Sequence, residues 1–121
     1  MSCSILLVED SKLVSDIMAD YLTLVGYKVY CTDNAEDALA YIDNMPVDLG
    51  IFDVRLPDMD GFALCNEVHQ RHALPVIMMT GLYPREHEGN DKALAKARVM
   101  LEKPFDLDAL EQEIHRILRE R

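Results

Sequence analysis

The chain is short of positive charge: 12 lysines and arginines stand against 22 aspartates and glutamates, for a net charge of -10. That balance disfavours direct binding to nucleic-acid backbones or anionic membranes and suits a carboxylate-rich site that holds a cation. Long apolar runs are missing too, and no basic segment leads into a longer apolar one near the N-terminus. Neither a membrane span nor a secretory signal is read, and a cytoplasmic location is expected. Cysteine is scarce. Cys3, Cys31 and Cys65 are odd in number and follow no metal or redox spacing, so they read as reduced thiols serving as small hydrophobes. Low-complexity tracts and solenoid-type repeats are absent. A length of 121 residues amounts to one domain, taken as residues 1–121, so any output module lies outside it.

What the chain does have is alternation. Five short apolar runs, at 5–8, 27–31, 49–52, 76–79 and 99–101, are separated by helical patterns. In the first pattern Leu13, Val14, Ile17, Met18, Tyr21, Leu22 and Val25 recur at helical spacing, and Gly26 reads as the C-terminal cap. A second helix opens near Asn34, with Asp37 against its dipole and Ala38, Leu39 and Ile42 inward. A third buries Phe62, Cys65 and Val68. The last buries Leu107, Leu110, Ile114 and Ile117, with Asp106 and Asp108 at its start and Arg116, Arg119 and Arg121 toward its end. Pro84, Gly89 and several charges predict a long loop over 81–90, followed by a short helix where Ala93, Leu94 and Ala97 restore an apolar face. Strand-helix alternation with nearly continuous apolar strands implies an α/β domain, a parallel sheet covered on both faces and joined by right-handed crossovers.

Polar residues follow four of the five apolar runs at corresponding positions: Glu9 and Asp10, then Asp53, Thr80 and Lys103. In a parallel sheet these ends share one edge, where α/β folds bind ligands. Singly, each has an ordinary structural explanation: Asp10 as a helix cap, Asp53 as a turn opener, Thr80 as a strand end, Lys103 as a solvated charge. Jointly they compose coherent chemistry. Three carboxylates brought together raise one another's pKa unless a cation compensates, which calls for a hard divalent ion with oxygen ligands, Mg²⁺ being the natural candidate. Asp53 is then placed to act as a nucleophile and form an aspartyl phosphate. The metal and the Lys103 ammonium offset charge on the transferred group, while the Thr80 hydroxyl hydrogen-bonds one of its oxygens.

Over essentially its whole length the chain resembles the receiver domain of two-component response regulators. The matching segments are Val8-Glu9-Asp10-Ser11, the stretch Asp53-Val54-Arg55-Leu56-Pro57-Asp58-Met59-Asp60-Gly61, Met79-Thr80-Gly81 and Glu102-Lys103-Pro104-Phe105, in that order. The resemblance implies a flavodoxin-like, doubly wound, five-stranded parallel sheet of order 2-1-3-4-5 with five helices. It implies that Asp53 is the phosphoacceptor, that Asp10 and Asp53 bind Mg²⁺ with the backbone carbonyl of Arg55, and that Glu9 acts through the metal's water shell. Thr80 and Lys103 become the switch hydroxyl and the phosphate-binding lysine, and the Lys103-Pro104 bond is expected to be cis. The implied partners are a histidine kinase or phosphotransfer protein, an unidentified output domain or partner protein, and a second copy across the face of the last two helices and the fifth strand. Such a protein is a phosphoacceptor switch that catalyses its own phosphorylation and dephosphorylation, rather than an enzyme acting on other substrates.

The chain departs from the family pattern at several positions. Met100 stands where a Tyr or Phe is usual three residues before the lysine, Lys96 where a Gly is usual, and Arg98 and Val99 where acidic residues are usual. Thr80 and Lys103 are about one residue further apart than in the pattern, and Tyr83 in the extended loop is read as a substitute aromatic. Arg55 is expected to border the site, and His69 and His72 to be solvated. Three other classes compete with a switch. A phosphohydrolase of the haloacid dehalogenase type needs a second Asp where Arg55 stands, and commonly a cap domain. A flavodoxin-like cofactor binder needs a Ser, Thr and Gly-rich loop after the first strand, where Glu9-Asp10 would repel a phosphate. An unphosphorylated docking module has no need of the acidic site.

Overall fold

The computed structural model describes residues 3–81, 97–103 and 105–120. Along the chain these form β1 (Ser4–Val8), α1 (Lys12–Leu24), β2 (Lys28–Thr32), α2 (Ala35–Asn44), β3 (Leu49–Asp53), α3 (Gly61–Arg71), β4 (Val76–Thr80), β5 (Val99–Glu102) and α4 (Leu107–Arg119). All strand pairs are parallel, in the order β2-β1-β3-β4-β5. The sheet is therefore the expected one. Four helices lie among the described residues; the predicted short helix near Ala93, the 81–90 loop beyond Gly81, Tyr83 and Lys96 fall outside them, as does Pro104 with its expected cis bond.

Every residue of β3 and β4 is buried, because helices cover both faces. Alternate side chains feed two cores. Leu6, Val8, Phe52 and Met78 pack with Ala38 and Ile42 of α2 and with Phe62, Cys65 and Val68 of α3. Ile5, Leu7, Ile51, Ile77 and Met79 pack with Met18 and Leu22 of α1 and with Leu110, Ile114 and Ile117 of α4. Met100 is half-buried against the first of these cores.

Local chemistry sets the helix ends. Ser11 caps α1, Asn34 caps α2, Asp60 caps α3 and Asp106 caps α4, each accepting from a backbone amide of its own first turn. At the end of α1 the chain leaves through Gly26 at φ +111°, with Gly26 N donating to Thr23 O and Tyr27 N to Leu22 O. This paired closure favours glycine because no Cβ opposes positive φ. Two expectations need correction. Leu13 and Ile17 are 72% and 51% exposed, since at 3.6 residues per turn they stand about 140° and 100° around α1 from buried Met18. Cys31 is exposed rather than used as a core hydrophobe, because β2 is an edge strand; Cys65 is buried, and none of the three cysteines forms a disulfide.

The β3–α3 connection is packed so closely that a side chain on Gly61 has no room: a Cβ there would lie 2.1 Å from the Asp53 carbonyl oxygen and 2.7 Å from Val54 Cα. Both neighbours are backbone. Gly61→Ala is expected to destabilise the domain by about 1–3 kcal/mol through overpacking, read as a lower urea midpoint; an unchanged midpoint contradicts this reading.

Candidate functional site

The parallel register gathers the strand ends on one edge. Asp53 pairs with Met79, one residue before Thr80, and Thr80 pairs with Glu102, one residue before Lys103. The Lys103 amide donates to the Thr80 carbonyl (2.7 Å), so the lysine starts where the β4–β5 ladder ends. On the other side of β3, Val8 pairs with Phe52, which sets Glu9 and Asp10 beside Asp53. One carboxylate oxygen each of Glu9, Asp10 and Asp53 lies within 4.8 Å of the others. Glu9, Asp53 and Thr80 are buried, Lys103 is half-buried and Asp10 is exposed.

The Lys103 ammonium binds two of the three carboxylates, donating to Glu9 Oε1 at 2.6 Å and to Asp53 Oδ2 at 3.0 Å. Asp53 Oδ1 accepts from the Arg55 amide (3.1 Å), and Glu9 Oε2 accepts from the Ser11 amide (3.1 Å). Three carboxylates against one ammonium leave two negative charges. Burial, the largest influence, pushes the Glu9 carboxyl above its ordinary range; the Lys103 and Ser11 hydrogen bonds pull it back, and nearby Asp53 pushes it up again. For Lys103, burial works against the charged form, but the bonds to Glu9 and Asp53 outweigh it and hold the ammonium above its usual range.

A divalent cation fits what is present. The donors are hard oxygens, their spacing allows a shared ion, and the excess of two negative charges matches its charge. Asp10 is free for that role as far as helix capping goes, because Ser11 caps α1 instead. Arg55 is exposed and borders the site through its backbone amide. His72 departs from expectation: its Nε2 lies 2.9 Å from Asp43 Oδ1, so it joins α3 to α2 and is not merely solvated.

Sequence reasoning missed Asp58. From the β3–α3 loop its carboxylate reaches the first turn of α2, accepting from Ala35 N and Glu36 N at 2.9 Å each. Those two amides hold the Asp58 carboxyl below the usual range. No local signal marks the contact, which spans 23 residues to Ala35; only its position, facing a helix N-terminus once folded, reveals it.

The profile of the response regulator receiver domain matches residues 5–115. Among curated proteins, a probable transcriptional regulator, ycf27, of Cyanidium caldarium is 34% identical over 115 residues, covering 95% of this chain and 46% of that protein. The regulatory protein VanRc of Enterococcus gallinarum is 38% identical over 66% of this chain and 35% of its own length. The chain thus spans less than half the length of these relatives. Among solved structures, a CheY-like receiver domain protein from Methanospirillum hungatei JF-1 superposes with a TM-score of 0.90 at 32% identity, covering 99% of this chain and 96% of that one. The chemotaxis response regulator CheY4 of Vibrio cholerae gives a TM-score of 0.85 at 28% identity, covering 97% and 99%.

Two expectations follow from the site's electrostatics. In metal-free buffer at neutral pH, Lys103→Met leaves two buried carboxylates without their cation and lowers stability by about 3 kcal/mol, the low end of such losses. Mg²⁺ then recovers more stability in the variant than in the parent, measured by urea unfolding; equal gains contradict the shared-cation reading. Glu9 binds its proton more tightly folded than unfolded, so its contribution is complete below the ordinary glutamate range and is lost as pH rises through the raised folded-state value. Lys103 stays charged throughout that window. Glu9→Gln should therefore flatten the metal-free stability profile between the ordinary glutamate range and neutrality, and an unaltered slope counts against it.

Proposed function

Because the chain belongs to the response regulator receiver domain family, we propose that it is a phosphorylation-controlled switch in which Asp53 accepts a phosphoryl group and the domain's partner affinity changes in response. The observation that carries this reading is the buried Asp53 carboxylate, held between the Lys103 ammonium and the Arg55 amide next to two further carboxylates. The donor is a phosphohistidine on a histidine kinase or phosphotransfer protein. One Asp53 oxygen attacks phosphorus, the O–P bond forms, and the N–P bond breaks with its electron pair staying on the imidazole, which takes up a proton.

The chain's own residues arrange that step. Lys103 is within bonding distance of Asp53 and is placed to move onto the incoming phosphoryl oxygens, offsetting charge that grows in the transition state. The Thr80 hydroxyl is assigned to one of the phosphoryl oxygens, and its inward shift is assigned the role of switch. Asp10 and Asp53, with the Arg55 backbone carbonyl, would hold Mg²⁺, and Glu9 would act through the ion's water shell. When bound, the ion would supply positive charge that offsets the charge of the transferred group. Because the domain supplies these groups itself, phosphorylation and dephosphorylation are read as self-catalysed, by a switch and not by an enzyme with external substrates.

The remaining assignments rest on the same reading. An apolar groove of about 590 Å³, lined by Val14, Ile17, Met18, Gly81, Lys103, Phe105 and Leu107, adjoins the site and supports docking of the phosphodonor. The output is a separate domain or partner protein, and a second copy can use the face of β5 and α4. No described helix is long and apolar enough to cross a membrane, and a cytoplasmic location accords with a kinase-fed switch.

Incubation of the protein with acetyl phosphate and Mg²⁺, followed by intact-mass and peptide mass spectrometry, tests the proposal. One phosphoryl adduct on Asp53, labile in acid and in base, is expected, absent in Asp53→Asn and formed about 100-fold or more slowly in Lys103→Met. Modification at another residue, or no adduct in any condition, overturns the proposal; unlimited turnover without an adduct favours a phosphohydrolase instead.

A further inference from the structure

The β3–α3 loop is tied down at its base by several bonds. Arg55 N donates to Asp53 Oδ1 (3.1 Å), Gly61 N donates to the Val54 carbonyl (2.7 Å), Arg55 and Asp60 form an antiparallel bridge, and Asp60 Oδ1 accepts from Phe62 N (2.7 Å). None of these reaches the crest of the loop. The crest packs on the core through half-buried Leu56 and Met59 and is bonded to α2 by the Asp58 carboxylate: Oδ1 takes the Ala35 amide and Oδ2 the Glu36 amide. A two-pronged bond fixes orientation as well as distance. The helix it grips is itself seated in the core through buried Ala35, Ala38 and Ile42.

We propose that Asp58 is a positioning residue for the cation site, using α2 as a fixed support to hold the loop that carries Arg55. The inference rests on the reading above that the Arg55 backbone carbonyl is a cation ligand. Without the bond to α2 the carbonyl must be ordered further when the ion binds, and that ordering costs affinity. Asp58 removes part of the cost in advance. Outer partners that orient a metal ligand act in this way. Asp58 also caps α2, so the two roles need separating, and α2 offers the means. Asn34 caps the same helix, its Oδ1 accepting from Asp37 N at 2.8 Å, without any bond to the loop.

The test compares the parent protein with Asp58→Ala, Asp58→Asn and Asn34→Ala. Mg²⁺ binding is followed by isothermal titration calorimetry, and loop exposure by amide hydrogen exchange in metal-free buffer. Asp58→Ala is expected to weaken Mg²⁺ binding about tenfold, the low end for such orienting partners, and to speed exchange of the Arg55 and Leu56 amides. Asn34→Ala should leave both unchanged although it destabilises α2. Asp58→Asn, which keeps one acceptor and the side-chain size, should fall between and serves if the alanine variant folds poorly. Parent-like binding and exchange in the Asp58 variants, or equal losses in Asn34→Ala, overturn the assignment of Asp58 alone. A parent protein that binds no Mg²⁺ overturns the cation reading and this assignment with it.

Discussion

Everything at the carboxyl edge of this sheet is organised by one electrostatic constraint: Glu9, Asp10 and Asp53 are brought within 4.8 Å of one another, two of them out of water. Such a group is unfavourable by itself. Lys103 relieves part of it by bonding Glu9 and Asp53 together, yet the Glu9 carboxyl is still driven upward by burial. The site is therefore poised for more positive charge, and a divalent cation answers that need. A structural role alone does not account for carboxylates kept in so costly a position.

The fold meets the constraint through register. Parallel strands place Asp53, Thr80 and Lys103 within a residue of each other along the edge, and β1 delivers Glu9 and Asp10 from the other side. Buried β3 and β4 leave little freedom to the backbone beneath. The close approach at Gly61 and the bond from Asp58 to α2 then fix the loop that follows Asp53. Stability of the scaffold and geometry of the site are thus two results of the same packing, while the clustered carboxylates work against stability.

Much of this could be read from the chain. The apolar runs gave the strands to within a residue or two, because β3 and β4 are buried on both faces and leave no polar interruption. Asn34 and Gly26 announced helix ends through their own backbone chemistry. The candidate site residues stood out because Glu9, Asp53 and Thr80 directly follow an apolar run and Asp10 and Lys103 stand one residue further on. What escaped depends on partners far away in sequence. Leu13, Ile17 and Cys31 looked like core residues, yet their exposure is set by which flank of α1 meets the sheet and by β2 lying at its edge. Asp58 looked like one more loop carboxylate, and His72 like a solvated ring, until α2 was set beside them. Met100 was recognised as a departure from the family pattern; it sits half-buried on the α3 side of the sheet, in contact with that core.

The most direct measurement is a crystal structure of the protein with Mg²⁺ and beryllofluoride, a mimic of the phosphoryl group. The account predicts beryllium bonded to a carboxylate oxygen of Asp53, the ion held by Asp10, Asp53 and the Arg55 carbonyl, and Lys103 moved from Glu9 onto a fluoride. Beryllofluoride attached elsewhere, or bound at Asp53 while Lys103 keeps both of its carboxylates and the ion is absent, contradicts it.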